Sequence, residues 1–266
     1  MAPKSSKKKQ QREPSQAQAS PINPSTSTSS RPNWPPLTPL LPREDLAIST
    51  LLPNQIITIS NLWTSTLCRT YTTFLSTLPL TTTPGRPKKG DAVRVNDRFQ
   101  IDDPLFASQL WKDTGLEYLL TSEEGSGMAK EEREKLWGGD VVGLNPNIRI
   151  YRYTPGQFFD KHYDDSNTLT LASPSSSPDL SPVQAKTTWT LLLYLTSSAT
   201  GCEGGETVFY PEAASKRERA PEPVVVGLEV GMALLHRHGR ECLLHEGREV
   251  RRGEKWVVRS DLCVKR

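Results

Sequence analysis

The sequence predicts a mainly β fold, an antiparallel sandwich or jelly roll with helices gathered on its N-terminal side. Three observations predict it. From about residue 147 apolar residues alternate with polar ones, as in half-buried strands. The alternating segments are short and separated by Gly and Pro, and apolar spacing of three and four residues is found ahead of them. The 266 residues, 35% hydrophobic and 24% charged, suffice for one good-sized domain with appendages.

Taken in order, residues 1–42 combine Lys4, Lys7, Lys8, Lys9 and Arg12 with runs of Ser, Thr, Gln and Pro, and are expected to be a disordered basic tail. The cluster reads either as a nuclear import signal or as a solvated tail. Residues 43–140 are expected to supply helical support. Trp63, Leu67, Tyr71, Phe74 and Leu78 share one helical face after Ser60, a possible N-cap, and a second helix opens at Asp103 with Pro104 in its first turn. The Pro/Gly-rich span 81–90 reads as a connector. Residues 141–266 are expected to be the β core. Ile148 and Ile150 face one way, and Arg149, Tyr151 and Tyr153 the other. Further strands are expected at 187–195, 206–209, 223–226, 232–236, 242–245 and 255–264. Two stretches, 168–186 and 215–223, read as mobile surface insertions.

Composition narrows the function. Lys+Arg 33 against Asp+Glu 30 gives a net charge of +3, so no clear nucleic-acid surface is expected. No run approaches a membrane span and no secretory apolar core opens the chain, so a cytoplasmic or nuclear protein is expected. Cys68, Cys202, Cys242 and Cys263 form no CxxC pair and read as reduced structural thiols.

The chemistry centres on His162 and Asp164 in FDKHYDD. Residues i and i+2 of a strand point the same way, so an imidazole and a carboxylate converge. Two imidazoles and one carboxylate would leave three coordination positions open, the set associated with ferrous oxygenases, whereas zinc is more often closed in by four ligands. The third ligand lies among His236, His238 and His245.

Three blocks resemble one family. LHEGREVRRGEKWVV at 244–258, YTPGQFFDKHYDD at 153–165 and LLLYLTSSATGCEGGETVFYPE at 191–212 are similar, in order and spacing, to Fe(II)- and 2-oxoglutarate-dependent dioxygenases of the prolyl 4-hydroxylase type. The resemblance covers about residues 145–264. It implies a double-stranded β-helix (jelly roll) core, Fe(II) held by His162, Asp164 and His245, and Lys255 pairing with the distal carboxylate of 2-oxoglutarate. Only His245 meets a lysine at the family's ten-residue offset; His236 and His238 are then expected to be exposed beside the turn HRHGRE. Tyr153 and Thr190 match positions whose hydroxyls contact the cosubstrate.

The resemblance further implies O2 and L-ascorbate as cofactors and a protein or peptide substrate, proline foremost, hydroxylated with release of succinate and CO2. The same chemistry on a small molecule or nucleic acid, and a catalytically silent jelly-roll binding module, stand as alternatives. Arg259 reads as a second basic group near the cosubstrate, a substrate contact, or a solvated charge. Gly204 and Gly205 read as backbone requirements of a tight turn, Trp189 and Trp256 as core residues, and Asn96, Asp97 and Arg98 as a turn or a substrate mouth.

Overall fold

Alternation along single strands builds two cores at once. In the strand Asn147–Tyr153, Ile148 and Ile150 enter one apolar cluster while Tyr151 and Tyr153 enter another. The long strand Lys255–Lys265 repeats the division, with Trp256 and Val258 on the first side and Val257 on the second. The computed structural model describes residues 31–266 apart from 84–89, 172–181, 214 and 216. All described residues except Arg31 fall in one unit, Pro32–Arg266.

The strands assemble into a large and a small antiparallel sheet. The large one runs, in spatial order, Ile48–Leu52, Ile56–Ile59, Ala233–Arg237, Val183–Tyr194, Lys255–Lys265, Asn147–Tyr153, Asp97–Asp102 and Thr81–Thr82. Val141–Leu144 and Thr168–Leu171 pair beside this path. The small sheet runs Val224–Val226, Thr207–Tyr210, Leu244–Gly247, Phe158–His162 and Arg94–Val95. Neighbours in space are distant in sequence, as in a jelly roll. Tyr151, Tyr194, Phe209 and Val257 cluster with the inner faces of both sheets, while the other face of the large sheet packs on helices.

That helical layer contains Ser65–Leu75, Pro104–Asp113, Leu116–Thr121 and Lys130–Trp137. The first helix begins later than the apolar spacing predicts. Asn61 sits at φ 55°, outside the helical region, and Thr64 becomes the cap, accepting from the Leu67 amide at 3.2 Å. The second opens as expected, with the Asp103 carboxylate accepting from the Phe106 amide at 2.9 Å and Pro104 following. Trp63, Tyr71, Phe106, Trp137 and Trp189 fill the space between helices and sheet, each contributing roughly 1.5–3 kcal/mol of burial.

Four expectations are corrected. The tail of residues 1–42 falls mostly outside the described residues, but its last stretch is packed: Trp34 stacks on Phe106 at 4.2 Å and donates to Asp103 at 2.8 Å. Tyr71 and Thr64 donate to the carbonyls of Pro35 and Pro39. The prolines that suggested disorder there offer carbonyls to the helical layer. The span 43–140 is not helical throughout, because 48–52, 56–59 and 97–102 complete the large sheet. The stretch 168–186 begins and ends as paired strand, Leu171 opposite Val183, with 172–181 outside the described residues. Finally, His236 and His238 are buried, 1% and 4% exposed. No helix among the described residues is long and apolar enough to cross a membrane.

Candidate metal and cosubstrate site

The pairing of Phe158–His162 with Leu244–Gly247 sets His162 directly opposite His245. Their rings lie 4.2 Å apart. Asp164, two residues past His162, places its carboxylate between them: Oδ1 is 3.7 Å from His162 Nε2 and Oδ2 is 3.9 Å from His245 Nε2. Donor atoms of the three residues fall within 4.8 Å of one another. Among the described residues this is one of two sets that could hold a metal ion.

Both imidazoles are oriented by backbone. His162 Nδ1 meets the Asp160 carbonyl at 2.7 Å and His245 Nδ1 meets the Leu243 carbonyl at 2.9 Å. Each carbonyl holds its ring with the Nδ1 proton inward, which leaves the Nε2 lone pair facing Asp164. Burial, reinforced by His245, pushes the His162 imidazole down to about 3, and burial also lowers His245, so both stay neutral and able to ligate. Phe159 stacks on the His162 ring at 3.5 Å.

Burial alone would raise the Asp164 carboxyl, but the Arg259 guanidinium above all holds it well below the usual range. Arg259 Nη2 lies 2.9 Å from Oδ2, and Thr190 Oγ1 donates to the same oxygen at 2.8 Å. Thr190 thus stands behind the carboxylate and outside the cavity lining. The sequence expected its hydroxyl on the cosubstrate; in this structure the hydroxyl donates to Asp164, and Thr190 sits opposite His236 and Asp261 in the sheet register. Arg259, left between three readings, is the main charge partner of Asp164. His236, a candidate ligand that the resemblance set aside as exposed, is instead buried at the site. It brings a third imidazole to the carboxylate, Nε2 3.7 Å from Oδ2. The strand expected at 232–236, observed as Ala233–Arg237, already carried it into the sheet.

The second set, His236, Cys242 and His245, suits a metal less well. Burial pushes the Cys242 thiol up to about 12, and the Asp164 amide donates to its sulfur at 3.3 Å. A protonated, occupied thiol is a poor ligand. The nitrogen, nitrogen, oxygen set of His162, Asp164 and His245 fits a ferrous ion with positions to spare.

The cavity runs from these donors to Lys255, lined by Tyr151, Tyr153, Val257 and Thr207. Lys255 is 5% exposed, and its Nζ donates to the Gly205 carbonyl at 2.7 Å. Among the described residues no carboxylate lies within ion-pair distance of it, and burial, partly offset by Cys202 and Glu206, pushes its ammonium down to about 8. Tyr153 and Tyr194 place their rings 5.4 Å from Nζ. A buried cation without an anion is a costly arrangement unless a ligand supplies one. Gly204 and Gly205 are needed for this geometry: Gly204 sits at φ +81° with the Glu249 carbonyl 2.3 Å from where a Cβ would be, and Gly205 offers its own carbonyl to Lys255.

A family model described as the 2OG-Fe(II) oxygenase superfamily matches residues 148–260. The matched segment is a 2OG-Fe(II) oxygenase domain. It includes all four groups just described, His162, Asp164, His245 and Lys255, and the enzyme is of the 2-oxoglutarate-dependent dioxygenase class. No curated protein matches the chain. Similar solved structures include a viral collagen prolyl hydroxylase from Paramecium Bursaria Chlorella virus-1 (16% identity, TM-score 0.47, covering 79% of this chain and 96% of that chain). A prolyl hydroxylase from Trichoplax adhaerens in complex with a hypoxia inducible factor peptide fragment is similar at 16% identity and TM-score 0.45 (79% and 83% covered). The non-heme carbocyclase SnoK from nogalamycin biosynthesis is similar at 14% identity and TM-score 0.44 (79% and 80% covered).

Proposed function

We propose that the oxygenase domain hydroxylates a protein side chain, with proline the leading substrate residue, using Fe(II) and 2-oxoglutarate and sustained by L-ascorbate. The observation that carries the reading is the pairing of two opposed features in one cavity. Two neutral imidazoles and a carboxylate converge at one end, and a buried lysine with no carboxylate in ion-pair reach among the described residues waits at the other.

His162, Asp164 and His245 would hold the iron, and Lys255 would receive the distal carboxylate of 2-oxoglutarate, with the Tyr153 ring beside it. When bound, iron and cosubstrate supply the oxidising chemistry: O2 is consumed, 2-oxoglutarate becomes succinate and CO2, and one oxygen atom enters a substrate C–H bond. The chain's own residues bind, orient and exclude water. Arg259 and Thr190 fix which face of the Asp164 carboxylate is free. Phe159 restrains the His162 ring, and the apolar lining of Val257 and Leu192 dries the path between the metal end and Lys255.

Purified protein with Fe(II), ascorbate and 2-oxoglutarate is expected to release succinate, and His162→Ala or His245→Ala to abolish it. A proline-containing peptide pool is expected to gain 16 Da on proline. Wild-type protein that binds neither Fe(II) nor 2-oxoglutarate refutes the reading; turnover without any peptide mass shift refutes its protein-substrate part.

A further inference from the structure

The inner face of the large sheet carries more arginine than its acids can neutralise, and the excess gathers around Tyr151, a residue of the cavity wall. On neighbouring strands Arg98 lies opposite Tyr151, Gln100 opposite Arg149, and Arg149 opposite Arg259. Residues directly opposite in an antiparallel pair share a face, and like charges placed so repel. Asp261 relieves part of this, paired with Arg149 and 3.5 Å from Arg259. Among the described residues nothing comparable serves Arg98. Arg98 has Gln100 as its hydrogen-bond partner.

Arg94 arrives from the edge of the small sheet and lays its guanidinium over the rings of Phe159 at 4.8 Å and Tyr151 at 5.7 Å. No carboxylate among the described residues forms an ion pair with Arg94 or Arg98. Both rings beneath Arg94 line the cavity, so this unpaired cation stands directly against the cavity wall. Two deeper donors point the same way: Nε of Arg149 and Nε of Arg259 are buried without a hydrogen-bond partner. The Tyr151 phenol registers the field. Burial would raise it, yet Arg259, Arg149, Arg94 and Arg98 together draw it below its usual value.

Resting on the oxygenase reading above, we propose that Arg94, Arg98 and Arg149 form the entrance for a peptide substrate that carries a carboxylate side chain, Asp or Glu, close to the residue that is hydroxylated. The acids already lining the cavity are engaged: Asp164 faces the metal position and Glu246 accepts from the Tyr210 hydroxyl. Planar guanidinium groups match a carboxylate two hydrogen bonds at a time, which fixes position as well as charge. A compact group of cations around one phenol ring suits one or two carboxylates. A nucleic-acid strand would need cations spread along its phosphates.

Two fluorescein-labelled peptides of equal length, proline flanked by Glu and proline flanked by Gln, test this by anisotropy against the full chain loaded with Mn(II) and 2-oxoglutarate. The Glu peptide is expected to bind at least tenfold tighter (on the order of 1.4 kcal/mol), with the advantage shrinking in 0.5 M KCl and lost in Arg94→Gln/Arg98→Gln. The charge reversal Arg94→Glu/Arg98→Glu is expected to prefer a Lys-flanked peptide, a gain that misfolding does not produce. Equal binding of the Glu and Gln peptides by the wild type, an undiminished preference in the double variant, or stronger competition from a 20-nucleotide single strand than from the Glu peptide overturns the proposal. Equilibrium dialysis of 2-oxoglutarate against the Mn(II)-loaded wild type reads the oxygenase assignment separately.

Discussion

Lys255→Met separates the needs of the ligand from those of the fold. In the free protein this ammonium is buried, held by one carbonyl, and pushed from 10.5 down to about 8. Because the folded value lies below the unfolded one, the penalty is fully present below about pH 8 and fades as pH rises towards 10.5. A drop of about two and a half pH units corresponds to roughly 3 kcal/mol at neutral pH. Methionine fills similar space without a charge. It should therefore stabilise the ligand-free protein at pH 7, raising Tm by several degrees, with the gain dwindling by pH 10. The same change leaves the distal carboxylate of 2-oxoglutarate buried without a partner, a loss of about 3–5 kcal/mol or on the order of a hundredfold or more in Kd. Differential scanning fluorimetry and isothermal titration with the Mn(II)-loaded protein measure both. In the wild type, Kd should climb as pH rises past about 8, where the free amine loses its proton. A variant that melts lower than wild type and binds 2-oxoglutarate unchanged refutes the argument.

Thr190→Val removes one hydrogen bond to the Asp164 carboxylate, worth about 1.5–3 kcal/mol when the acceptor is charged. Metal affinity should fall roughly tenfold or more by Mn(II) titration, while 2-oxoglutarate affinity at saturating metal stays near wild type; the reverse pattern would restore a cosubstrate contact for Thr190. Trp34→Ala deletes the stack on Phe106 and the bond to Asp103, and should destabilise the fold by about 2–4 kcal/mol in urea unfolding. An unchanged midpoint would return residues 32–42 to the status of a tail.

Sequence periodicity carried the β core because each of its strands separates two apolar environments. Ile148 and Ile150 against Tyr151 and Tyr153 is such a case, and the register of a strand with one face on helices and the other in a cavity leaves little freedom. Asp103 followed by Pro104 was equally legible, since a cap and its proline act within four residues. What escaped depends on contacts far along the chain. Tyr71 and the Pro35 carbonyl that it donates to are 36 positions apart, and nothing local distinguishes a proline-rich tail from a proline-rich strap over a helix. The strands 48–52 and 56–59 are short and lie among helical signals. Their place is decided by the exposed edge of 233–237. The candidate ligands were legible through an i, i+2 pair and a family pattern, but the roles of Thr190, Arg259 and His236 come from sheet neighbours that no spacing rule reports.

Buried charge explains why these late-discovered neighbours sit where they do. In the ligand-free site two carboxylates, Asp164 and Asp261, face Arg259 at one end, while Lys255 stands apart at the other. Had Lys255 lain beside Asp164 instead, the pair would have neutralised each other and closed the cavity to both ions. Separation along the strand Lys255–Lys265, with Arg259 four positions on from Lys255, keeps one end attractive to a cation and the other to an anion. A divalent metal and a dicarboxylate bring opposite and equal charge, so each ion entering alone leaves the interior unbalanced and the second restores the balance. Their affinities must then be coupled, each ion tightening the other by the same factor, because linkage is reciprocal. The arginines around Tyr151 lie outside that balance. The charge of Arg94 and Arg98, which no described carboxylate pairs, is not cancelled when metal and cosubstrate are both in place, which leaves it free to act on the substrate alone.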